Sequence, residues 1–380
     1  MTTAPLAITC HFRRLRDPRR NHRKRHRLLD IIVTALCAVI AGANDWQQIA
    51  TFAAQRREWL QTFLDLPNGT PSHDTFERVF IRLNPQAFLG CFQQWIKALT
   101  AGLGLNHVAI DGKTLRHSGN ARLDFGPLHL VSAWATACHL SLGQVAVADK
   151  SNEITAIPQL LELLEIKGAL VTIDAMGCQK AIAKKIIAEG ADYILAVKDN
   201  QPTLLEDIQK TIGTALDSGP EGVAYDICST DEKGHGRKET RTYVIVTNLE
   251  QLRTRQEWAE LNVVGMCTRT RVVDGAESTE SHYFIGSRLA SVKVYAHAVR
   301  QHWGIENSLH WQLDVAFAED ANRVSQRHGA ENLALVRRLA LSLLKRHPSK
   351  LSIPCKRLTA ALNTTFLEEI LCGGRKLGKV

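Results

Sequence analysis

Apolar positions along the first hundred residues follow a helical period. Leu28, Ile31, Ile32, Ala35, Leu36, Val39 and Ile40 fall on one helix face. Trp46 to Phe63 predicts a second helix, and Leu66-Pro67-Asn68-Gly69 breaks it as a turn. Asp74, followed three residues later by Glu77, has the form of a capping box opening a helix over 75–83. After Pro85 the period returns at Phe88, Phe92, Trp95, Ile96 and Leu99. Residues 28–101 are therefore expected to be a small all-helical domain, with Gly102 to Asn106 as a linker.

The pattern then changes. His107 to Asp111 is a short apolar strand ending in a carboxylate, and 128–139 and 142–148 predict two more strands. A helix over 154–164, an apolar strand from Leu170 to Asp174, a helix over 179–189 and a strand over 193–197 follow. Three sequential strands and then α-β-α-β is the order of a ribonuclease-H-like sheet. After a helix at 203–215 the chain is β-rich to about residue 286, read as an insertion at about 203–290. A long helix from Val292 to beyond Trp311 and another at 331–345 complete the expected 107–350 unit, with 351–380 as a C-terminal tail.

Composition narrows the class. At 45% hydrophobic and 22% charged, 380 residues are ordinary for a globular protein and wrong for disorder. Nine cysteines without a CxxC pair exclude a zinc ribbon and suit reduced thiols. A basic run before the apolar stretch 28–43 has the order of a signal peptide. The run is too long, the apolar stretch ends too late, and Asp30 and Thr34 interrupt it. It is also too short to span a bilayer. A cytoplasmic protein without a membrane partner is expected.

The net charge of +9 is concentrated. Arg13, Arg14, Arg16, Arg19, Arg20, Arg23, Lys24, Arg25 and Arg27 face only Asp17, so eight of those nine net charges lie in residues 13–27. Residues 1–27 thus form a basic arm suited to phosphates. The short helix after Pro71-Ser72-His73 is a candidate DNA-reading helix.

Asp111 and Asp174 each end an apolar strand. In open α/β sheets, strand carboxyl ends line the crevice where ligands bind. Carboxylates brought together there repel unless a divalent cation neutralises them, and oxygen ligands favour Mg²⁺ or Mn²⁺. Trp303, Glu306, His310 and Asp314 share a helical face, so Glu306 can supply a third carboxylate. His302 and His310 lack zinc-helix spacing and read as structural or polar.

Several stretches carry a resemblance: Ala109-Ile-Asp-Gly-Lys-Thr-Leu-Arg116, Leu130-Val-Ser-Ala-Trp134, Lys150-Ser-Asn-Glu-Ile-Thr-Ala-Ile-Pro158 and Val171-Thr-Ile-Asp-Ala-Met-Gly-Cys-Gln179. Lys198, Asn200-Gln201, His235-Gly-Arg237 and Arg300-Gln-His-Trp-Gly-Ile-Glu-Asn-Ser-Leu-His-Trp311 continue it. Over about residues 25–350 the sequence resembles DDE transposases of the H-repeat-associated, ISAs-type insertion-sequence family. The resemblance implies a ribonuclease-H-like catalytic core with a β-rich insertion, preceded by a helical domain. It implies Asp111, Asp174 and Glu306 as the catalytic triad, holding two Mg²⁺ ions, with Mn²⁺ as substitute. The expected reaction is cleavage at insertion-sequence ends and joining of the 3′-hydroxyl to target DNA. Double-stranded DNA is the expected partner, both as terminal inverted repeats and as target, with a homodimer in the DNA complex and nucleoid association when bound. Lys113, Lys198, Arg237 and Arg300 are candidate phosphate contacts, and Trp303 a candidate base-stacking residue. The alternatives are a catalytically silent DNA-binding relic and a non-transposing nuclease of the same fold.

Overall fold

The computed structural model describes residues 7–20, 24–100, 104–119, 126–148, 151–218, 224–234 and 237–372. Six helices open the chain: α1 (Ala7–Phe12), α2 (Leu28–Ile40), α3 (Trp46–Gln55), α4 (Arg57–Leu60), α5 (His73–Arg82) and α6 (Pro85–Thr100). α2 is buried on nearly every side, which explains its almost unbroken apolar sequence. α5 starts one residue before Asp74, with Ser72 as N-cap. Asp74 therefore sits in the first turn, and the expected capping box does not form.

The sheet begins with β1 (His107–Leu115), β2 (Leu128–Ala135) and β3 (Leu140–Ala146), a meander of antiparallel pairs. Then come α7 (Glu153–Glu162), β4 (Leu170–Ile173), α8 (Lys180–Ala188) and β5 (Asp192–Val197). β4 lies parallel to β1, and β5 parallel to β4. The order β3-β2-β1-β4-β5 is the ribonuclease-H-like arrangement expected from the sequence.

The β-rich stretch does not make a separate sheet. After α9 (Pro202–Asp217), the strands β6 (Tyr225–Gly234), β7 (Arg237–Val246), β8 (Val263–Val273) and β9 (Ala276–Gly286) form a meander. β9 pairs with β5, so nine strands form one continuous sheet. Pairing at the open edge of β5 satisfies backbone groups that would otherwise be left exposed.

α10 (Val292–His302) leads through a π-helical turn (Glu306–His310) into α11 (Trp311–Phe317). α12 (Arg327–Arg346) joins the two halves of the molecule. The Ser141 backbone N–H donates to Ser342 Oγ on α12 at 3.1 Å. On another side, the Asn332 side chain donates to the Phe80 and Leu83 carbonyls at 2.8 and 2.9 Å, closing the end of α5. One apolar core accordingly runs from α2 and α5 through α12 to the sheet. No helix among the described residues is long and apolar enough to cross a membrane.

The stretch read as a C-terminal tail carries two helices, α13 (Ile353–Leu362) and α14 (Thr364–Leu371). Arg357 on α13 is buried and donates to the carbonyls of Val39, Ala43 and Ala316. Its guanidinium also lies 4.2 Å from the centre of the Phe317 ring. Those carbonyls stand at the end of α2 and in α11, close to helix termini. Arg357→Met keeps bulk but removes the guanidinium bonds, leaving the Val39 carbonyl, among the described residues, only the Gly42 N–H at 3.3 Å. It is expected to cost about 2–4 kcal/mol in urea unfolding, and a loss below about 0.5 kcal/mol would show the clamp to be dispensable.

Candidate active site

β1 and β4 pair in register from His107–Leu170 to Ile110–Ile173. Asp174 directly follows β4, but Asp111 does not end β1 as expected: the strand runs on to Leu115, paired with β2, so Asp111 lies in mid-strand beside the end of β4. Asp111 accepts from the Gly112 backbone N–H at 2.9 Å. Asp174 caps the short turn Ala175–Gly177 by accepting from the Gly177 N–H. The side chains of Asn200 and Gln201 donate to the Ala175 and Cys178 carbonyls at 2.7 and 3.0 Å. Through these bonds Asn200 and Gln201 hold the loop that follows Asp174.

Glu306 enters from the helix after α10. The Trp311 N–H bonds to the Glu306 carbonyl, which inserts one residue into the helical turn. Within this turn His310 Nδ1 lies 3.2 Å from Glu306 Oε2 and 3.5 Å from Asp111 Oδ2. Ligand atoms of Asp111, Glu306 and His310 all lie within 4.8 Å of one another. Asp174 stands beside this tight cluster rather than within it. Histidine spacing alone assigns His310 a structural role, because no second histidine stands four residues away. The usable signal in the sequence is its position four residues after the glutamate.

A buried hydrogen-bond chain sets the helix against the strands. His107 bonds Thr136 Oγ1 through Nδ1 at 2.8 Å and Thr172 Oγ1 through Nε2 at 2.9 Å. His302 Nδ1 reaches the same Thr172 hydroxyl at 3.1 Å. Thr172 lies two residues before Asp174, His107 four before Asp111, and His302 four before Glu306. The three elements that carry the carboxylates are thus joined through one hydroxyl.

The electrostatics match this packing. Burial raises the Asp111 carboxyl, and nearby Asp174 raises it further, while His310 opposes the shift. Burial and then Glu153 raise Asp174. Glu306 goes the other way, because its hydrogen bond with His310 holds it low. Carboxylates from three elements therefore converge with one imidazole as their immediate counter-group. This donor set fits a divalent cation, with oxygen ligands dominant and an imidazole close by.

Asp111, Asp174, Lys198, Trp303 and Glu306 line one open groove of about 760 Å³. Lys198 lowers Asp174 through its charge. Trp303 is 53% exposed, with its ring 6.1 Å from that of His282. The other candidate contacts are otherwise engaged. Lys113 is nearly buried, 2.7 Å from Asp314 and 3.6 Å from Asp320. Arg300 turns to Glu232, with Nε and Nη2 each at 3.2 Å. The side chain of Arg237 and the turn residues His235 and Gly236 lie outside the described residues.

A second concave surface lies in the helical region. Arg19, Arg20 and Arg25 from the arm meet Arg78 and Arg82 from α5 around a cleft of about 760 Å³. Asn68, Thr70, Ser72 and Thr75 add amide and hydroxyl groups, and no carboxylate lines it among the described residues. Arg13, Arg14, Arg16, Lys24 and Arg27 are exposed, and Arg27 pairs with Asp65. Arg19 is pinned by Asp17 and the His26 carbonyl. Arg23 lies outside the described residues.

Two family models together cover most of the chain. Residues 102–343 match the transposase DDE domain, and residues 9–96 match the region described as DDE_Tnp_1-associated. The chain belongs to the DDE transposase family. It is 42% identical to "Putative transposase YncI" of Escherichia coli O157:H7, over 95% of this chain and 93% of that protein. It is 36% identical to "H repeat-associated putative transposase YhhI" of Escherichia coli K12, over 96% of this chain and 97% of the relative. A piggyBac transposase synaptic complex with hairpin DNA aligns at 9% identity with a TM-score of 0.40, covering 96% of this chain and 77% of that one. Nothing about the site follows from so distant a likeness.

The buried chain also sets an acid limit on the transposase fold. Burial pushes His107 down to about 3 and His302 to about 4, from 6.5. A histidine that resists protonation when folded stabilises the protein above its unfolded pKa. Stability is therefore expected to fall as pH drops below 6.5 toward 4. Thr172→Val, which removes the shared hydroxyl, is expected to cost about 2–4 kcal/mol at about pH 7.5 in urea unfolding. An unchanged midpoint would show that the two histidines do not depend on it.

Proposed function

We propose that this transposase cleaves DNA at the ends of an insertion sequence and joins the freed 3′-hydroxyl to target DNA. The observation that carries the reading is the parallel pairing of β1 and β4, which leaves Asp111 and Asp174 adjacent while the Glu306 helix closes on them. Asp111, Asp174 and Glu306 are the proposed metal ligands, with Mg²⁺ as the natural ion, Mn²⁺ as substitute and two ions as the full complement. Bound there, divalent cations supply Lewis acidity toward a phosphodiester and its attacking hydroxyl.

The chain's own groups handle the DNA. Lys198 faces the groove and suits a phosphate beside the carboxylates. Exposed Trp303 offers a face on which a base unpaired near the cut stacks. His310 orients Glu306 through their hydrogen bond. Lys113, held by Asp314, is better read as a support of the helix than as a phosphate clamp. Residues 1–27 act as the basic arm and 28–101 as the end-binding domain, followed by the catalytic unit 107–350. The five-arginine cleft between arm and α5 supports backbone contact with duplex DNA. Joining two element ends calls for two copies, so the DNA complex is a homodimer. The protein works in the cytoplasm, on the nucleoid when bound.

Asp111→Asn, Asp174→Asn and Glu306→Gln are each expected to lower cleavage and strand transfer by about 10³-fold or more. The substrate is a plasmid bearing the element's terminal repeats, with Mg²⁺ present, and a gel-shift assay should show binding retained. Full activity in any one variant would remove that residue from the site. Replacing Arg20, Arg25, Arg78 and Arg82 with Ala is expected to weaken DNA binding and flatten its salt dependence by about 0.9 per lost phosphate contact. An unchanged slope would leave the cleft without a role in DNA binding.

A further inference from the structure

The groove accounts for the three principal carboxylates, but another reaches the same strand ends. Glu153 is the first residue of α7, on the face of the sheet opposite the Glu306 helix. The face follows from strand alternation. Asp111 and Lys113 point toward His310 and Asp314, so Gly112 and Thr114 point the other way. His129, the cross-strand partner of Thr114, shares that second face.

Gly112 makes the approach of Glu153 feasible. A Cβ at residue 112 would lie 2.1 Å from Glu153 Oε1 and 2.7 Å from His129 Nε2. No side chain larger than hydrogen leaves that slot open. The glycine beside Asp111 therefore admits a glutamate–histidine pair against the strand.

With a neutral imidazole, the partners of the pair fix where its protons lie. Glu153 Oε1 can only accept, so His129 Nε2–H donates to it at 2.7 Å. His129 Nδ1 then accepts from the Thr114 hydroxyl at 2.7 Å. Glu153 Oε2 has no hydrogen-bond partner among the described residues. Glu153 also carries the largest charge contribution raising Asp174, and it raises Asp111 as well. Its carboxylate thus lies against the residue that follows Asp111, and among the described residues one of its oxygens has no hydrogen-bond partner.

We propose that Glu153 is a further carboxylate of the site, oriented by His129, and that it helps Asp111 and Asp174 hold a divalent cation. The inference rests on the metal-carboxylate reading of the site. A helix-terminal acid in a plain ion pair would contribute to α7 alone. The Thr114–His129–Glu153 chain instead has the form of the outer hydrogen bonds that fix metal ligands.

The test is Mn²⁺ binding to the full chain without DNA, measured by isothermal titration and by electron paramagnetic resonance of free Mn²⁺. Glu153→Gln keeps an acceptor for His129 but removes the charge. It is expected to weaken Mn²⁺ binding by about 10-fold or more, with thermal unfolding little changed. Gly112→Ala, which displaces the pair sterically, should weaken binding in the same direction, and the double variant should be no weaker than the worse single one. Asp111→Asn is the reference. If Asp111→Asn loses Mn²⁺ and Glu153→Gln does not, Glu153 is a helix-terminal acid and the proposal fails while the site reading stands. If neither loses Mn²⁺, the metal reading fails and takes this proposal with it. A second measurement needs no variant: Fe²⁺ and ascorbate, which cut the chain beside a bound ion, should cleave near 151–155 as well as near Asp111. Cuts near Asp111 without cuts at 151–155 would overturn the proposal.

Discussion

Mutual repulsion of carboxylates in a partly buried place is the constraint around which this molecule is built. Asp111 and Asp174 are adjacent because two parallel strands are in register, so neither can move apart without breaking the centre of the sheet. Burial and like charge both raise Asp111. Lys198 lowers Asp174 through its charge, but Lys113, on the strand of Asp111, is held between Asp314 and Asp320. Arg300 is likewise engaged with Glu232. The site thus keeps an acidic character that an external cation would relieve. Packing elsewhere must resist the same repulsion.

That resistance comes from buried polar bonds that cross between elements. The Thr172 hydroxyl joins β1, β4 and α10. A second support lies behind Asp111: Arg338 reaches Ser132 Oγ, the cross-strand partner of Asp111, and forms a fully buried ion pair with Glu319 at 3.1 Å. Such groups are costly to bury and cost more when one partner is removed. They tie the position of the helix to that of the strands with little freedom. The helical region shares this framework, since Arg337 donates to the Asn44 carbonyl at 2.8 Å and Asn332 closes α5. Load on α5 is therefore transmitted to α12, which also packs on the sheet.

The strands, the helical start and the three principal carboxylates are legible in the sequence because each has a local signature. The apolar run before Asp174 marks a strand end, whereas the one before Asp111 marks only the first half of β1, which continues to Leu115, and the period of α2 marks a helix. What is illegible is non-local. No residue pattern announces that β9 will pair with β5, since the edge it joins is defined by strands distant in sequence. The π-helical turn has no composition of its own, yet it brings His310 beside both Asp111 and Glu306. The acidic residues Asp314, Glu319 and Asp320 meet Lys113, Arg338 and Arg116, and the partners of Asp314 and Asp320 lie some two hundred positions away. Glu153 lies within the motif from Lys150 to Pro158, but its part depends on the slot over Gly112, visible only when the strands are paired.

The net charge of +9 takes its meaning from the separation of two surfaces. The cleft at the arm is lined by five arginines and, among the described residues, no carboxylate. The groove at the strand ends is lined by Asp111, Asp174, Asp199, Glu280 and Glu306, against which Lys198 stands as the lysine. A polyanion is attracted to the first and repelled by the second until cations are present. On the proposed function, long-range attraction would hold DNA away from the carboxylates, where arginine contacts cost no competition with metal ligands. Entry into the groove would then depend on the cation that the proposed ligands attract. Placing arginines at the strand ends would have strengthened binding, but they would also have paired with Asp111 and Asp174 and taken the position a metal needs.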